Sequence, residues 1–120
     1  MKPKIEKTLF GLINIDGDKY TNDVLIRLNG QGEERNKKLS KEVFGTSHII
    51  SSTEAEYIYE EGAEQLLIGT GHFGRCELSE EAETFFIDKG CKVTLQKTGK
   101  AVKAWNDQDG IVIGLFHITC

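Results

Sequence analysis

Gly69-Thr70-Gly71-His72-Phe73-Gly74 spells G-x-G-x-x-G directly after the apolar run Leu66 to Ile68, where a dinucleotide-binding fingerprint would lie. In that fingerprint the glycines open a helix, so that its first N–H groups meet a pyrophosphate. Here Arg75 to Leu78 intervene before the next helix start at Ser79, and the strand that follows ends in Gln96-Lys97 where a ribose-binding acid is needed. The glycines are therefore read as a tight turn with unusual backbone angles. Metal ligation has no local pattern either. His48, His72 and His117 lack His-x-x-x-His spacing, and Cys76, Cys91 and Cys120 form no close pair. His48 and His117 read as strand-end polar residues, His72 as an exposed loop residue and Cys91 as a small apolar packing residue. Ser47 beside His48, and Cys76 near His72, resemble nucleophile and base only by adjacency. Neighbours on an extended strand point to opposite faces, and Gly74 lies in a loop between the second pair, so no catalytic residue is assigned.

One constellation follows from topology. In open α/β sheets the crevice lies beyond the carboxyl ends of the parallel strands, where helix N-termini present unpaired N–H groups. That edge would collect Ser51 and Ser52, then Gly69, Thr70, Gly71 and His72, and finally Lys97, Thr98, Gly99 and Lys100. A helix start at Thr98-Gly99 between two lysines suits a small anion such as phosphate or carboxylate, and it also suits ordinary capping with solvated lysines.

The elements that must position these residues follow from periodicity. Thr8 to Ile15 is apolar and β-prone, Asp16-Gly17-Asp18 is a turn signal, and Val24 to Leu28 alternates again, which predicts an N-terminal antiparallel hairpin. The polar stretch from Glu33 has no clear period, and residues 33–47 are read as a loop with room for an edge strand. His48 to Ile50 is a short strand. Thr53 with Glu56 three residues on predicts a capping box, with Ala55, Ile58 and Tyr59 on one helical face and Gly62 as the stop. Leu66 to Ile68 reads as a buried strand, and Ser79 as the cap of a helix whose stripe is Ala82, Phe85 and Phe86. Cys91 to Leu95 is the next strand. Thr98 caps a third helix with stripe Ala101, Ala104 and Trp105, and Ile111 to Ile118 is apolar enough to be the central strand. Alternating helices and buried strands after a hairpin predict an α/β fold, a three-layer single domain over residues 1–120 with a mixed, partly parallel central sheet.

Composition agrees with this class. A chain of 120 residues with 38% hydrophobic and 28% charged residues is of one-domain size and globular usage. The lead-in around Pro3 has no signal-peptide h-region, and Ile111 to Phe116 is too short to span a bilayer. A soluble, cytoplasmic protein is expected, since three widely spaced cysteines fit a reducing compartment. The net charge of −4 disfavours nucleic acid, although nine acids between Glu54 and Glu83 precede a lysine-rich stretch from Lys89 to Lys103.

Phe10-Gly11, Ile15-Asp16-Gly17, Tyr20, Asp23-Val24, Gly45-Thr46-Ser47-His48, Gly62-Ala63-Glu64, Gly69-Thr70-Gly71, Leu78-Ser79, Gly90-Cys91, Trp105-Asn106 and Gly114-Leu115-Phe116, taken in order, resemble the adipogenesis-associated Mth-type domain family. The resemblance covers nearly the whole chain. It implies a three-layer α/β fold with a mixed central sheet of five strands, and relatives that include a protein linked to fat-cell differentiation and a mitochondrial factor assisting assembly of respiratory complex I. It implies no agreed active site. The chain shows no basic, serine-rich presequence, so the mitochondrial role is not carried over.

These readings favour a noncatalytic binding or assembly-type module with a protein partner, and lean away from an enzyme. The alternative is a small-anion or metabolite-binding protein, or an enzyme, using the carboxyl-edge crevice. No cofactor, metal, nucleic acid or membrane insertion is expected. The scattered cysteines and histidines make one outcome testable: neither chelator nor reductant should shift the thermal unfolding midpoint, and a large drop with either would contradict the reading.

Overall fold

The computed structural model describes residues 2–120. In chain order the elements are β1 (Ile5–Leu9), β2 (Leu12–Ile15), β3 (Asp18–Tyr20), β4 (Val24–Ile26), β5 (Gly32–Glu34), α1 (Lys38–Phe44), β6 (Ile49–Ile50), α2 (Ser52–Ile58), β7 (Gln65–Thr70), β8 (Glu77–Leu78), α3 (Glu80–Asp88), β9 (Lys92–Gln96), α4 (Thr98–Asp107) and β10 (Val112–His117). The main sheet has five strands in the order β5-β4-β10-β7-β9. It is mixed, because β10 runs parallel to β7 and antiparallel to β4, while β7 runs parallel to β9. All six residues of β10 are buried, as its apolar sequence requires of a strand covered on both faces.

Alternation along the strands separates two cores. Leu66 and Ile68 of β7, Ile113 and Leu115 of β10 and Leu25 of β4 face α2 and α3, where Ala55, Ile58, Ala82 and Phe86 meet them. Leu67, Val112, Phe116, Val24 and Ile26 face the other way, against Ala101, Val102 and Trp105 of α4 and Ile5, Ile13 and Ile15 of the small sheet. The layers are therefore two helices, the mixed sheet, and a composite of α4 with the β1-β2-β3 sheet.

The N-terminal hairpin differs in detail from the sequence reading. Phe10-Gly11, with Gly11 at φ +80°, splits the apolar stretch into β1 and β2, and Asp16 and Gly17, at φ +47° and +85°, return the chain into β3. Val24 to Ile26 does not close that hairpin. Its three residues are all buried, so both of its faces need cover, and only the main sheet supplies it. The stretch read as loop holds the edge strand β5 and also α1, whose sequence shows one buried residue, Ser40, too little for a visible period. The second helix is capped by Ser51 and not by Thr53: the Ser51 hydroxyl accepts from Glu54 N, and the helix ends at Ile58. Ser79 caps α3 as expected, by accepting from Ala82 N. Thr98 lies one residue inside α4, behind Lys97, because its hydroxyl is engaged elsewhere.

Trp105 is fully buried. Its Nε1 donates to the Pro3 carbonyl at 2.9 Å, and its ring meets Phe116 edge-on at 5.8 Å. Gly114 of β10 makes room for it, since a Cβ there would come within 2.8 Å of the indole. Trp105→Ala is therefore expected to cost about 3 to 5 kcal/mol in denaturant unfolding, and native tryptophan emission should be blue-shifted and poorly quenched.

Candidate functional site

The carboxyl edge of the parallel strands gathers Gly69-Thr70, Gln96 and His117, which the ladders place side by side. Because β4 is antiparallel to β10, the residue before it, Asp23, arrives at the same edge. The loop and the helix start predicted to share this edge do meet. Gly71 N donates to the Thr98 hydroxyl at 2.9 Å, Thr98 N donates to Gly71 O at 3.1 Å, and the Thr98 hydroxyl donates to His117 O. The C-terminal residues lie over this junction: His72 N donates to Thr119 O at 2.8 Å and Arg75 N to Cys120 O at 3.1 Å. Gly71, at φ +102°, is needed here, because a Cβ would come within 2.4 Å of the Cys120 carbonyl carbon. Gly99 stands outside this packing, with nothing within 4 Å of the position its Cβ would take, and Lys97 and Lys100 on either side are exposed.

Ser51 and Ser52 belong to a different part of the edge. Ser51 is buried in a polar network that composition and spacing did not reveal. At its centre is Arg35, 4% exposed. Its Nε and Nη2 donate to the two Glu54 carboxylate oxygens at 2.7 and 3.0 Å, its Nη1 to Asp23 at 3.1 Å, and its Nη2 also to Ser47 O at 2.7 Å. Ser40 donates to Glu54 and accepts from Ser51 N, and the Ser51 hydroxyl donates to Leu39 O. Asp23 also accepts from Ile118 N at 3.0 Å and lies 2.6 Å from His117 Nδ1. His48 packs edge-on against the His117 ring at 5.4 Å.

Glu54 had a readable signal. It stands one residue before Ala55 and four before Ile58, on the face of α2 that is buried, and a carboxylate there requires a cation. Arg35 gave none, since its neighbours Glu33 to Lys41 look solvated.

The electrostatics of this cluster favour fixed charge. Burial pushes the Asp23 carboxyl upward, but the His117 hydrogen bond and charge, the Ile118 N–H and Lys37 together hold it down to about 2. Burial pulls Arg35 down, and Glu54 above all more than reverses that, so its charge is secure. Burial pushes the Cys76 thiol up to about 11, outweighing the attraction of Arg35, so it is protonated at neutral pH and a poor nucleophile. His48 is lowered by burial and by the positive charges of His117, Arg75 and Arg35. No hydrogen bond joins Ser47 to His48 or Cys76 to His72, and no cluster of three or more His, Cys, Asp or Glu side chains has metal-binding geometry, among the described residues. All three cysteines are free thiols. No helix is long and apolar enough to cross a membrane among the described residues.

The outer surface of the same edge also carries exposed aromatic rings. Gly11 N donates to Ile118 O at 2.7 Å, which seats the β1–β2 turn beside the C-terminal residues. Phe10 is 59% exposed and Phe73 66% exposed, with ring centroids 6.0 Å apart, and His72 lies 6.1 Å from Phe10. Leu9, the last residue of β1, is half exposed. A cavity of about 490 Å³ lined by Lys2, Pro3, Lys4, Asn106, Asp109 and Gly110 lies at the opposite end of β10, away from these groups.

Comparison with known proteins adds family and fold. The model of a family described as "Protein of unknown function (DUF498/DUF598)" matches residues 5–108. A conserved hypothetical protein from Pyrococcus horikoshii OT3 is 34% identical, with 98% of this chain and 99% of that one aligned and a TM-score of 0.91. A solved structure named MT938 is 26% identical over 99% of this chain and 100% of its own, at a TM-score of 0.85. A Bordetella pertussis protein described as a Mth938-like domain shares the fold at 13% identity and a TM-score of 0.70, over 97% of this chain and 85% of that one. No curated protein matches.

The Asp23 geometry sets a pH dependence. Its carboxyl lies near 2 in the folded chain against 3.8 for the free group. Between those values the unfolded chain binds a proton that the folded chain does not, so the contribution is complete above the free value and is lost as pH falls through the folded one. It is on the order of 2 kcal/mol. Asp23→Asn should therefore be less stable than the natural chain at neutral pH, and its unfolding free energy should fall less steeply with acid. An unchanged slope would show that Asp23 is not held in this way.

Proposed function

Because the chain belongs to the family described as a protein of unknown function (DUF498/DUF598) and is an Mth938-type domain, whose description supplies no reaction, we propose a function from the surface: a noncatalytic binding or assembly-type module that docks a protein partner on Phe10 and Phe73. The exposed pair of aromatic rings carries the reading. Two phenylalanines, each more than half exposed and in contact range of one another, gain nothing from folding that smaller polar residues would not supply. Large rings on tight turns are rigid anchors, and such anchors dominate the energetics of protein interfaces. The partner fitting them offers an apolar pocket with polar groups at its rim, since Arg75, two residues after Phe73, is exposed.

The polar groups behind the patch support a noncatalytic role. Arg35, Asp23 and Glu54 are saturated by one another, and the nearby thiol is held in its protonated form. The earlier resemblance to a family with an assembly factor points the same way. Three free thiols support a reducing compartment, the cytoplasm.

A second reading keeps the anion site between the Gly69 to His72 turn and the start of α4, with Ser51 and Ser52 in a different part of the edge. The observation favouring it is the open face of Gly99 between exposed Lys97 and Lys100 at the start of α4.

Paired substitutions separate the two. Tagged natural domain, cross-linked in the cells that make it, should retain a partner that Phe10→Asp/Phe73→Asp loses at least tenfold and that Lys97→Met/Lys100→Met keeps. Saturable phosphate binding at low salt, abolished by the lysine changes and untouched by the phenylalanine changes, would replace the docking reading with the anion one.

A further inference from the structure

The last strand of the main sheet, β9, has only β7 beside it. Lys92 N donates to Glu64 O at 3.0 Å, so Lys92 turns its backbone groups toward β7. With the period of two along a strand, Thr94 and Gln96 do likewise, and Val93 and Leu95 aim their N–H and C=O groups outward. No strand or side chain pairs with those outward groups among the described residues. The side chains of Val93 and Leu95 line a largely apolar groove of about 370 Å³ with Leu78, Phe86, Ile87 and Cys91, to which Glu83 and Lys92 add one charge of each sign. Ile87 is 66% exposed and Leu95 42% exposed, so the groove opens along the free edge. An unprotected edge with an apolar flank is a template for another strand.

We propose that the occupant is β9 of a second copy of this chain, paired antiparallel about a two-fold axis through Thr94, which joins the two five-stranded sheets into one. The strand is complementary to itself in this register. Val93 faces Leu95 of the second copy and Leu95 faces its Val93, and these are the residues whose backbone groups point outward, giving two hydrogen-bonded pairs and about four backbone bonds. Lys92 falls opposite Gln96, so the one charged residue of the strand meets no like charge. Shifting the strands by one residue would set inward-pointing groups against outward-pointing ones and forfeit those bonds. An isologous interface of this kind closes on itself and stops at two copies.

Sedimentation at micromolar concentrations tests this directly. The natural chain should run at twice its 13.4 kDa mass. Leu95→Lys, at a side chain already partly in solvent, should run at the single mass with unchanged circular dichroism and melting behaviour. The two-fold axis also brings the Thr94 Cα atoms to about 4.5 Å, within disulfide range. Thr94→Cys in a Cys120→Ser background should therefore give a covalent dimer under mild oxidation, and Lys92→Cys in the same background should not. Phe73→Asp should leave the dimer intact, so loss of the aromatic docking reading would not disturb this one. A natural chain that stays at the single mass at all micromolar concentrations overturns the proposal, as does a dimer that survives Leu95→Lys and gives no cross-link at position 94. Should Leu95→Lys fail to fold, the cross-link decides alone.

Discussion

Arg35 carries a permanent charge into a place water does not reach, and the carboxyl edge of the sheet is organised around keeping that charge paired. Its partners come from far apart in the chain: Asp23 before β4, Ser47 before β6 and Glu54 in the first turn of α2. A buried ion pair is weak evidence for net stability, because desolvation opposes the attraction. Breaking one partner leaves a charge without compensation, at a cost of about 3 to 5 kcal/mol, so the segments that supply the partners are coupled to one another.

That coupling propagates through Asp23. One oxygen takes the Ile118 N–H and the other takes Arg35 and His117, which ties the end of β10 to the start of β4. The C-terminal residues then follow a fixed course over Gly71, with Thr98 as the link between the glycine turn, α4 and the last strand. An edge that in many α/β folds opens into a crevice is here a packed junction of backbone. Its outward face carries the exposed rings of Phe10 and Phe73 and, at the start of α4, the exposed Lys97 and Lys100.

The same network sets the surroundings of the residues whose types could react. Cys76 shares the α2 and α3 core with Ile50 and Phe86, and burial keeps its proton on. The Asp23 and His117 pair has the geometry of an acid-oriented imidazole, but His117 is 2% exposed and faces His48 and Thr119. Charge that is fixed in this way positions the segments that carry it.

The amino-acid sequence by itself determined what depends on neighbours along the chain. The 3.6-residue stripes placed α3 and α4 and buried Trp105, the apolar run at Ile111 to Ile118 made β10 central, and Asp16-Gly17 fixed a hairpin turn. Tertiary structure alone decided what depends on distant partners. Val24 to Ile26 reads as the second arm of a hairpin until both its faces are seen to need cover. Thr98 reads as a cap until its hydroxyl is claimed by Gly71 and His117, and Ser51 takes the role assigned to Thr53 because its backbone is extended at the right turn. Arg35 reads as solvent-exposed in a polar stretch, because a charge carries no periodic signal and is buried only where three remote groups converge on it. Local free energies are written into adjacent residues, whereas the pairing of charges and the closure of an edge are sums over the folded whole.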